Sequence, residues 1–221
     1  MRLNIVLRIL SGLLFLVVTG SGYCFPVDLS KSVSEMELVR FLSFPQGEIV
    51  VNGKSYLVED GTIYRLIQDR RYRPRCMDQE MEQIFPRVVF AVLFQKESVE
   101  INTEQLPILD RLGHALRWGG LKDYNLHVAL HANTPFFSRT NVLLSQLRSE
   151  WVRDYLIRRW GIANRRISAS AGREQSCEIL EQTLNKIDNQ TSYMEIVAIG
   201  TKEQKFLQAC DDDGNVLPLP R

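Results

Sequence analysis

The chain has 221 residues, of which 45% are hydrophobic and 24% charged, and its formal net charge at pH 7 is +1. This length suits one domain of about 100–150 residues with an appendage, and the composition excludes long-range disorder. A near-neutral chain is a poor match for a general polyanion binder, so nucleic acid is not expected among its partners.

Residues 1–24 have the pattern of a secretory signal peptide. Two arginines precede an apolar run over residues 9–18, and small residues occupy positions 20–22. The run is too short to cross a bilayer, so the pattern predicts export and cleavage rather than a membrane anchor. Lipidation of Cys24 stays open, although the bulky Tyr23 stands where a lipoprotein signal has a small residue.

Residues 25–86 predict a small β-rich appendage that begins with a helix over residues 32–44. The pair Asn52-Gly53 lies between two apolar runs and is the strongest short hairpin signal, and Asp60-Gly61 predicts a second turn. We therefore expect a three-stranded meander, which is too small to be stable without a larger neighbour.

Arginines follow the meander at four positions, Arg70, Arg71, Arg73 and Arg75, with Tyr72 among them. Charge runs are most often solvated, so the segment is interpreted as an exposed connector. The alternative is a contact loop for an acidic partner, a lipid headgroup or a phosphate.

Residues 87–200 alternate between strands and helices. Strands are predicted near residues 88–94, 125–131, 166–172 and 192–200, and helices near residues 103–118, 141–160 and 177–187. This β-α-β-α-β-α-β order requires an α/β (α+β) two-layer sandwich, with helices packed on one sheet. On the second helix, Leu144, Leu147, Trp151 and Tyr155 form an apolar stripe. Residues 201–221 follow as a polar tail.

The four cysteines favour disulfide chemistry over metal binding. They lack the paired spacing of a zinc site, and an exported protein meets an oxidising compartment. Two pairs, Cys177–Cys210 and Cys76–Cys210, are both open.

No cofactor or catalytic residue is predicted. The first strand of the domain is not followed by a Gly-rich phosphate loop, and Ser145 lies in a helical motif rather than in a nucleophile elbow. His127 and His131 alternate on one strand, and without nearby acidic or cysteine ligands they are interpreted as packed or exposed histidines. The protein is therefore not expected to be an enzyme.

One segment carries a more specific signal. A strand ending in Leu-His-Ala-Asn (130–133) is followed by N-V-L-L-S-Q-L-R-S (141–149), a Gly-Ile pair (161–162), a basic turn (165–167) and Ala-Gly-Arg-Glu (171–174). This order and spacing resemble the OmpA C-terminal-like domain family, in which the strand ends in Gly-His-Thr-Asp and the helix carries N-x-x-L-S-x-x-R-A. The family includes outer-membrane anchors, peptidoglycan-associated lipoproteins and MotB. The resemblance spans residues 87–200, about half of the chain.

The resemblance implies non-covalent binding of the diaminopimelate-containing stem peptide of peptidoglycan where the strand meets the helix. An acid at the strand end would pair with the ammonium group, and an arginine on the helix with the carboxylate. Arg148 occupies the arginine position, with Asn141 and Ser145 on the same helix face. Asn133 replaces the acid. A charged hydrogen bond contributes about 1.5–3 kcal/mol and a neutral one about 0.5–1.5 kcal/mol, so we expect affinity to fall about tenfold or more.

The resulting expectation is a non-enzymatic protein of a Gram-negative cell envelope, located in the periplasm and associated with the outer membrane. Its first expected function is peptidoglycan association, weakened by Asn133. The alternative is a structural component of an envelope-spanning assembly, such as a secretion-system outer-membrane complex, in which peptidoglycan binding has been lost. In that case the meander and the arginine segment would be its docking elements.

Overall fold

The computed structural model describes residues 6–10, 13–17, 24–27, 33–92, 94, 98–131, 139–172 and 192–201. The described parts of residues 1–23, 44–86 and 200–221 form a first compact unit, and those of residues 24–43 and 87–199 form a second. Within the described ranges, no helix combines the length and the apolar character that crossing a membrane requires.

The described strands are β1 (Val6–Leu10), β2 (Leu13–Val17), β3 (Cys24–Val27), β4 (Gly47–Val51), β5 (Lys54–Glu59), β6 (Thr62–Ile67), β7 (Arg70–Tyr72), β8 (Arg87–Val92), β9 (Tyr124–His131), β10 (Ile167–Ala171) and β11 (Ser192–Thr201). The described α-helices are α1 (Glu35–Leu42), α2 (Gln79–Glu82), α3 (Leu106–Arg117) and α4 (Arg139–Trp160). Short 3-10 turns at Thr103–Gln105 and Asn164–Arg166 precede α3 and β10.

The first unit is built on a sheet with the strand order β1-β2-β4-β5-β6-β7. Both hairpin predictions are confirmed, because β4 pairs antiparallel with β5 and β5 with β6. Asn52 and Gly53 have φ values of 49° and 77°, and Asp60 and Gly61 have φ values of 47° and 74°. Positive φ at both central residues is the conformation that two-residue hairpin turns need.

A third hairpin extends this sheet beyond the predicted meander. It closes at Gln68 and Asp69, whose φ values are 48° and 59°, and adds β7 next to β6. The interpretation of residues 70–75 as a connector was therefore wrong for Arg70 and Arg71, which lie in a strand. The turn contains no glycine, so its sequence lacks the usual hairpin signal.

The strands β1 and β2 lie in the segment for which the sequence predicts a signal peptide. They pair antiparallel with each other, and β2 pairs parallel with β4. Cleavage of a signal peptide is a processing step that the structure does not test, so the signal peptide stays a prediction.

The second unit is a two-layer α/β sandwich, as predicted. Its sheet has the strand order β10-β9-β11-β8-β3, in which β9 and β10 are parallel and β8 and β11 antiparallel. Helix α4 packs on β9 and β10, α3 packs on α4, and α1 packs on α3 and β8. The appendage predicted from the sequence, residues 25–86, includes α1, whereas the described contacts of α1 are with the second unit. The third predicted helix, residues 177–187, lies outside the described residues.

The face that α4 turns to the sheet differs from the predicted stripe. The buried residues are Ser145, Ser149, Val152 and Leu156, whereas Leu147 is 42% exposed. Small serines let the helix approach the sheet closely, and the Ser149 hydroxyl donates to the carbonyl oxygen of Ser170 at 2.8 Å. The prediction that Leu144, Leu147, Trp151 and Tyr155 form the packing stripe is wrong because size and hydrogen bonding, rather than hydropathy alone, select the inner face.

Candidate ligand-binding site

The guanidinium group of Arg148 is held where α4 passes the end of β8 and the start of β11. Its Nε atom donates to the carbonyl oxygen of Ser98 at 2.9 Å, and Nη1 donates to the Ser192 hydroxyl at 3.3 Å. The guanidinium carbon lies 4.3 Å from the centroid of the Phe94 ring, within the range of a cation–π contact. Three contacts, two from the segment after β8 and one from β11, thus fix the orientation of one cationic side chain.

Burial withdraws this cation from water. Desolvation lowers the pKa of the Arg148 guanidinium below its usual range, but an arginine starts so high that it stays charged at neutral pH. Among the described residues, no carboxylate forms an ion pair with it. A partly desolvated cation without a counter-charge interacts more strongly with an incoming anion than a fully solvated one does.

The other predicted site residues on α4 differ in how far their side chains are buried. Asn141, Ser145 and Arg148 share the side of α4 that their spacing predicts, since the helix is continuous from Arg139 to Trp160. Asn141 is half-buried, whereas Ser145 is 4% exposed and lies in the packing of the helix against the sheet. Asn133 lies outside the described residues, so its relation to Arg148 stays a prediction.

A buried polar cluster that the sequence did not predict lies on the sheet. Glu195 of β11 is 2% exposed, and its two carboxylate oxygens lie 3.2 Å from Arg87 Nη1 and 3.0 Å from His131 Nε2. His131 is the last residue of β9 and also packs closely on Gly172, where an added Cβ would lie 2.4 Å from the ring. The cluster therefore fixes the strand end that leads into the segment of Asn133.

On the same strand, both ring nitrogens of His127 lie within hydrogen-bond distance of serine hydroxyls. Its Nδ1 and Nε2 atoms lie 2.8 Å from the Ser168 hydroxyl and 2.9 Å from the Ser170 hydroxyl. Across the described ranges, no group of three or more His, Cys, Asp or Glu side chains is arranged to hold a metal ion. The serines at alternate positions 168 and 170 of β10 were the signal in the sequence that could have indicated partners for His127 on the neighbouring strand.

Cys76 is 6% exposed and disulfide-bonded. The side chains of Cys24, Cys177 and Cys210 lie outside those that the structure describes. The pairs Cys177–Cys210 and Cys76–Cys210 therefore stay predictions.

No model of a known protein family matches the chain, and no curated protein sequence does. Solved structures that it resembles include an outer membrane protein from Borrelia burgdorferi B31 (19% identity, TM-score 0.37, covering 50% of this chain and 86% of that one). Another is the cell wall anchor of the type VI secretion system from Pseudomonas aeruginosa (23% identity, TM-score 0.37, covering 56% of this chain and 88% of that one). A third is the OmpA-like domain of FopA1 from Francisella tularensis (12% identity, TM-score 0.38, covering 73% of this chain and 86% of that one). All three TM-scores are below 0.5. The description of the fold therefore rests on the strand order and helix packing of this chain and not on these similarities.

Proposed function

We propose that the second unit is an OmpA-like domain that associates with peptidoglycan in a Gram-negative envelope and catalyses no reaction. The observation that carries the proposal is the placement of Arg148, a partly desolvated guanidinium held by Ser98, Ser192 and Phe94. The motif of residues 130–149 supports the same site, because its arginine is the one found in this position.

Arg148 keeps donors for a ligand. A guanidinium has five N–H groups, and two of those of Arg148 donate to described residues. The remaining donors form a planar fork that matches the two oxygens of a carboxylate. The α-carboxylate of a diaminopimelate side chain in the stem peptide is the ligand group with this geometry. Asn133 would then meet the neighbouring ammonium group with a neutral carbonyl oxygen.

Co-sedimentation with isolated sacculi tests this proposal. The chain is expected to sediment with sacculi, and Arg148→Ala is expected to lower its affinity about tenfold or more, because a charged hydrogen-bonding partner is lost. Arg148→Lys is expected to bind weakly too, since an ammonium cannot form the fork.

The matched control is Arg158→Ala on the same helix, where the side chain is 82% exposed. This variant should bind like the unchanged chain, and thermal melts should show that all variants fold. Equal binding by the Arg148→Ala and unchanged chains would exclude Arg148 as the ligand contact.

A second candidate function is favoured by apolar residues on the outer side of α4. Val142, Leu143 and Leu147 are 42%, 59% and 42% exposed, and such a group is more typical of a protein contact than of a solvated surface. An interaction component of an envelope-spanning assembly would use this side of the helix. Gentle detergent extraction should then yield a large complex that Leu143→Lys disrupts without changing sacculus binding, whereas a lone monomer would count against this function.

A further inference from the structure

Among the described residues, the strand β7 has no partner strand on its outer side and forms one edge of the first unit's sheet. It is the last strand in the sheet order among the described residues, and it pairs with β6 through three residue pairs on one side only. All three of its residues are exposed. Main-chain N–H and C=O groups on the outer side of such a strand are free to pair with another extended chain.

Three of the four arginines at this edge form no ion pair with a described residue. Arg70, Arg73 and Arg75 are exposed, and no ion pair with them is formed by a described residue. Arg71 pairs with Glu59 at 2.7 Å, but the two side chains are 57% and 45% exposed. Exposed pairs of this kind contribute little to stability. Because, among the described residues, four arginines at residues 70–75 face only Glu59 and the exposed Asp69, the edge keeps a net positive charge.

The neighbouring strands β5 and β6 are different, because their cations have acidic partners among the described residues. Arg65 lies 3.1 Å from Asp78, and Lys54 lies 2.7 Å from Glu80. The unbalanced charge is therefore confined to the edge strand and the residues that follow it.

The residue types at this edge favour recognition over simple protection. Edges that must stay unpaired commonly carry lysine, whereas residues 70–75 contain four arginines and no lysine. A guanidinium binds a carboxylate through two parallel hydrogen bonds, which an ammonium cannot do. Tyr72 and Ile67 beside them are 46% and 49% exposed, and tyrosine with arginine is the combination enriched at binding hot spots.

We propose that β7 binds an extended acidic segment of a partner protein by strand addition. The main chain of the segment would pair with the free edge of β7, and its carboxylates would contact Arg70, Arg73 and Arg75. A second copy of this chain is a poor occupant, because the arginines of two β7 strands would repel each other. This inference concerns the first unit and is independent of peptidoglycan binding by the second.

Fluorescence anisotropy with a labelled peptide of alternating valine and glutamate tests the proposal on the full chain. Binding is expected to weaken about two- to thirtyfold in Arg70→Gln/Arg73→Gln, as expected for the loss of two surface ion pairs, and also with rising salt. Arg158→Gln, which removes an equally exposed arginine in the second unit, should bind the peptide like the unchanged chain.

Two further probes separate strand addition from charge attraction. A peptide in which proline replaces the central valine keeps its charge but cannot complete the main-chain pairing, so it should bind much more weakly. Equal binding of the proline peptide, or unchanged binding by Arg70→Gln/Arg73→Gln, would overturn the proposal. Sedimentation with phosphatidylglycerol vesicles in the absence of peptide binding would also overturn it, in favour of a lipid surface.

Discussion

The Nε2 atom of His131 lies 3.0 Å from Oε2 of Glu195, although the two residues are 64 positions apart in the chain. The other oxygen of Glu195 pairs with Arg87, so one buried carboxylate joins three neighbouring strands, β9, β11 and β8. Buried charges of this kind are costly when a single partner is removed. We therefore expect the loss of Glu195 to lower the free energy of unfolding more than the loss of a partner in an exposed ion pair does.

Glu195→Ala should reduce the free energy of unfolding by about 3–5 kcal/mol, because it leaves Arg87 buried without its counter-charge. Urea denaturation followed by circular dichroism measures the change. The control is Glu59→Ala, which removes the exposed partner of Arg71 and should cost no more than about 1 kcal/mol. Similar losses in the two variants would contradict a structural role for the buried cluster.

Arg166→Lys should destabilise the second unit although it keeps the charge. Arg166 is 7% exposed, and its guanidinium donates to the carbonyl oxygens of Leu116, Leu121 and Tyr124 at 2.8–3.0 Å. A lysine cannot reach all three, and each unpaired buried carbonyl costs about 1–3 kcal/mol. We expect a loss of at least about 2 kcal/mol in urea denaturation.

The neighbouring exposed arginine provides the comparison. Arg165→Lys should change the free energy of unfolding by less than about 0.5 kcal/mol. A stable Arg166→Lys variant would show that the three carbonyl oxygens find other donors.

Stability should fall at alkaline pH because of Tyr56. This tyrosine is fully buried, and its hydroxyl donates to the carboxylate of Asp78, whose two oxygens lie 2.9 and 3.1 Å away. Burial first, and then the hydrogen bond to Asp78, raises the pKa of Tyr56 above its ordinary value of 10.0. The unfolded chain therefore loses this proton at lower pH than the folded chain, so the contribution of Tyr56 is complete below about pH 10 and is lost above it.

Urea denaturation at pH 8 and pH 11 measures this effect. Tyr56→Phe should be about 1–2 kcal/mol less stable at pH 8, because Asp78 loses a donor. Its further loss between the two pH values should be smaller than that of the unchanged chain. An identical loss in both proteins would mean that other groups cause the alkaline effect.

The proposed peptidoglycan site predicts that Asn133→Asp strengthens sacculus binding about tenfold, because in that proposal a carboxylate would replace a neutral amide next to the ligand's ammonium group. Co-sedimentation across a range of sacculus concentrations gives the affinity. Asn164→Asp adds the same charge at an exposed position in the 3-10 turn before β10 and should leave binding unchanged. Equal gains in both variants would indicate a general charge effect.

The sequence was sufficient for the features that local chemistry determines. The alternation of strands and helices followed from hydrophobic periodicity, and the turns at Asn52-Gly53 and Asp60-Gly61 from residues that adopt positive φ. The turn at Gln68 and Asp69 was missed because it has no glycine, so β7 was missed with it.

Features that depend on distant partners could not be predicted in this way. Arg87 and Glu195 are 108 positions apart, and nothing near either residue indicates the other. The inner face of α4 was misassigned because Ser145 and Ser149 are polar by type, yet their small size is what the close approach of helix and sheet requires. The motif was sufficient to predict Arg148 as a site residue. Its contacts with Phe94, Ser98 and Ser192 were not predicted, because these residues are distant from it in the sequence.

The parallel pairing of β2 with β4 has a consequence for maturation. Leu16 and Val17 are opposite Ile49 and Val50, and all of β2 lies within residues 1–24. If export removes that segment, β4 replaces β1 as the edge strand opposite β7 in the sheet of the described residues. The precursor and the mature protein would then differ in self-association. The newly uncovered edge strand, β4, is apolar, whereas the other edge strand, β7, is charged.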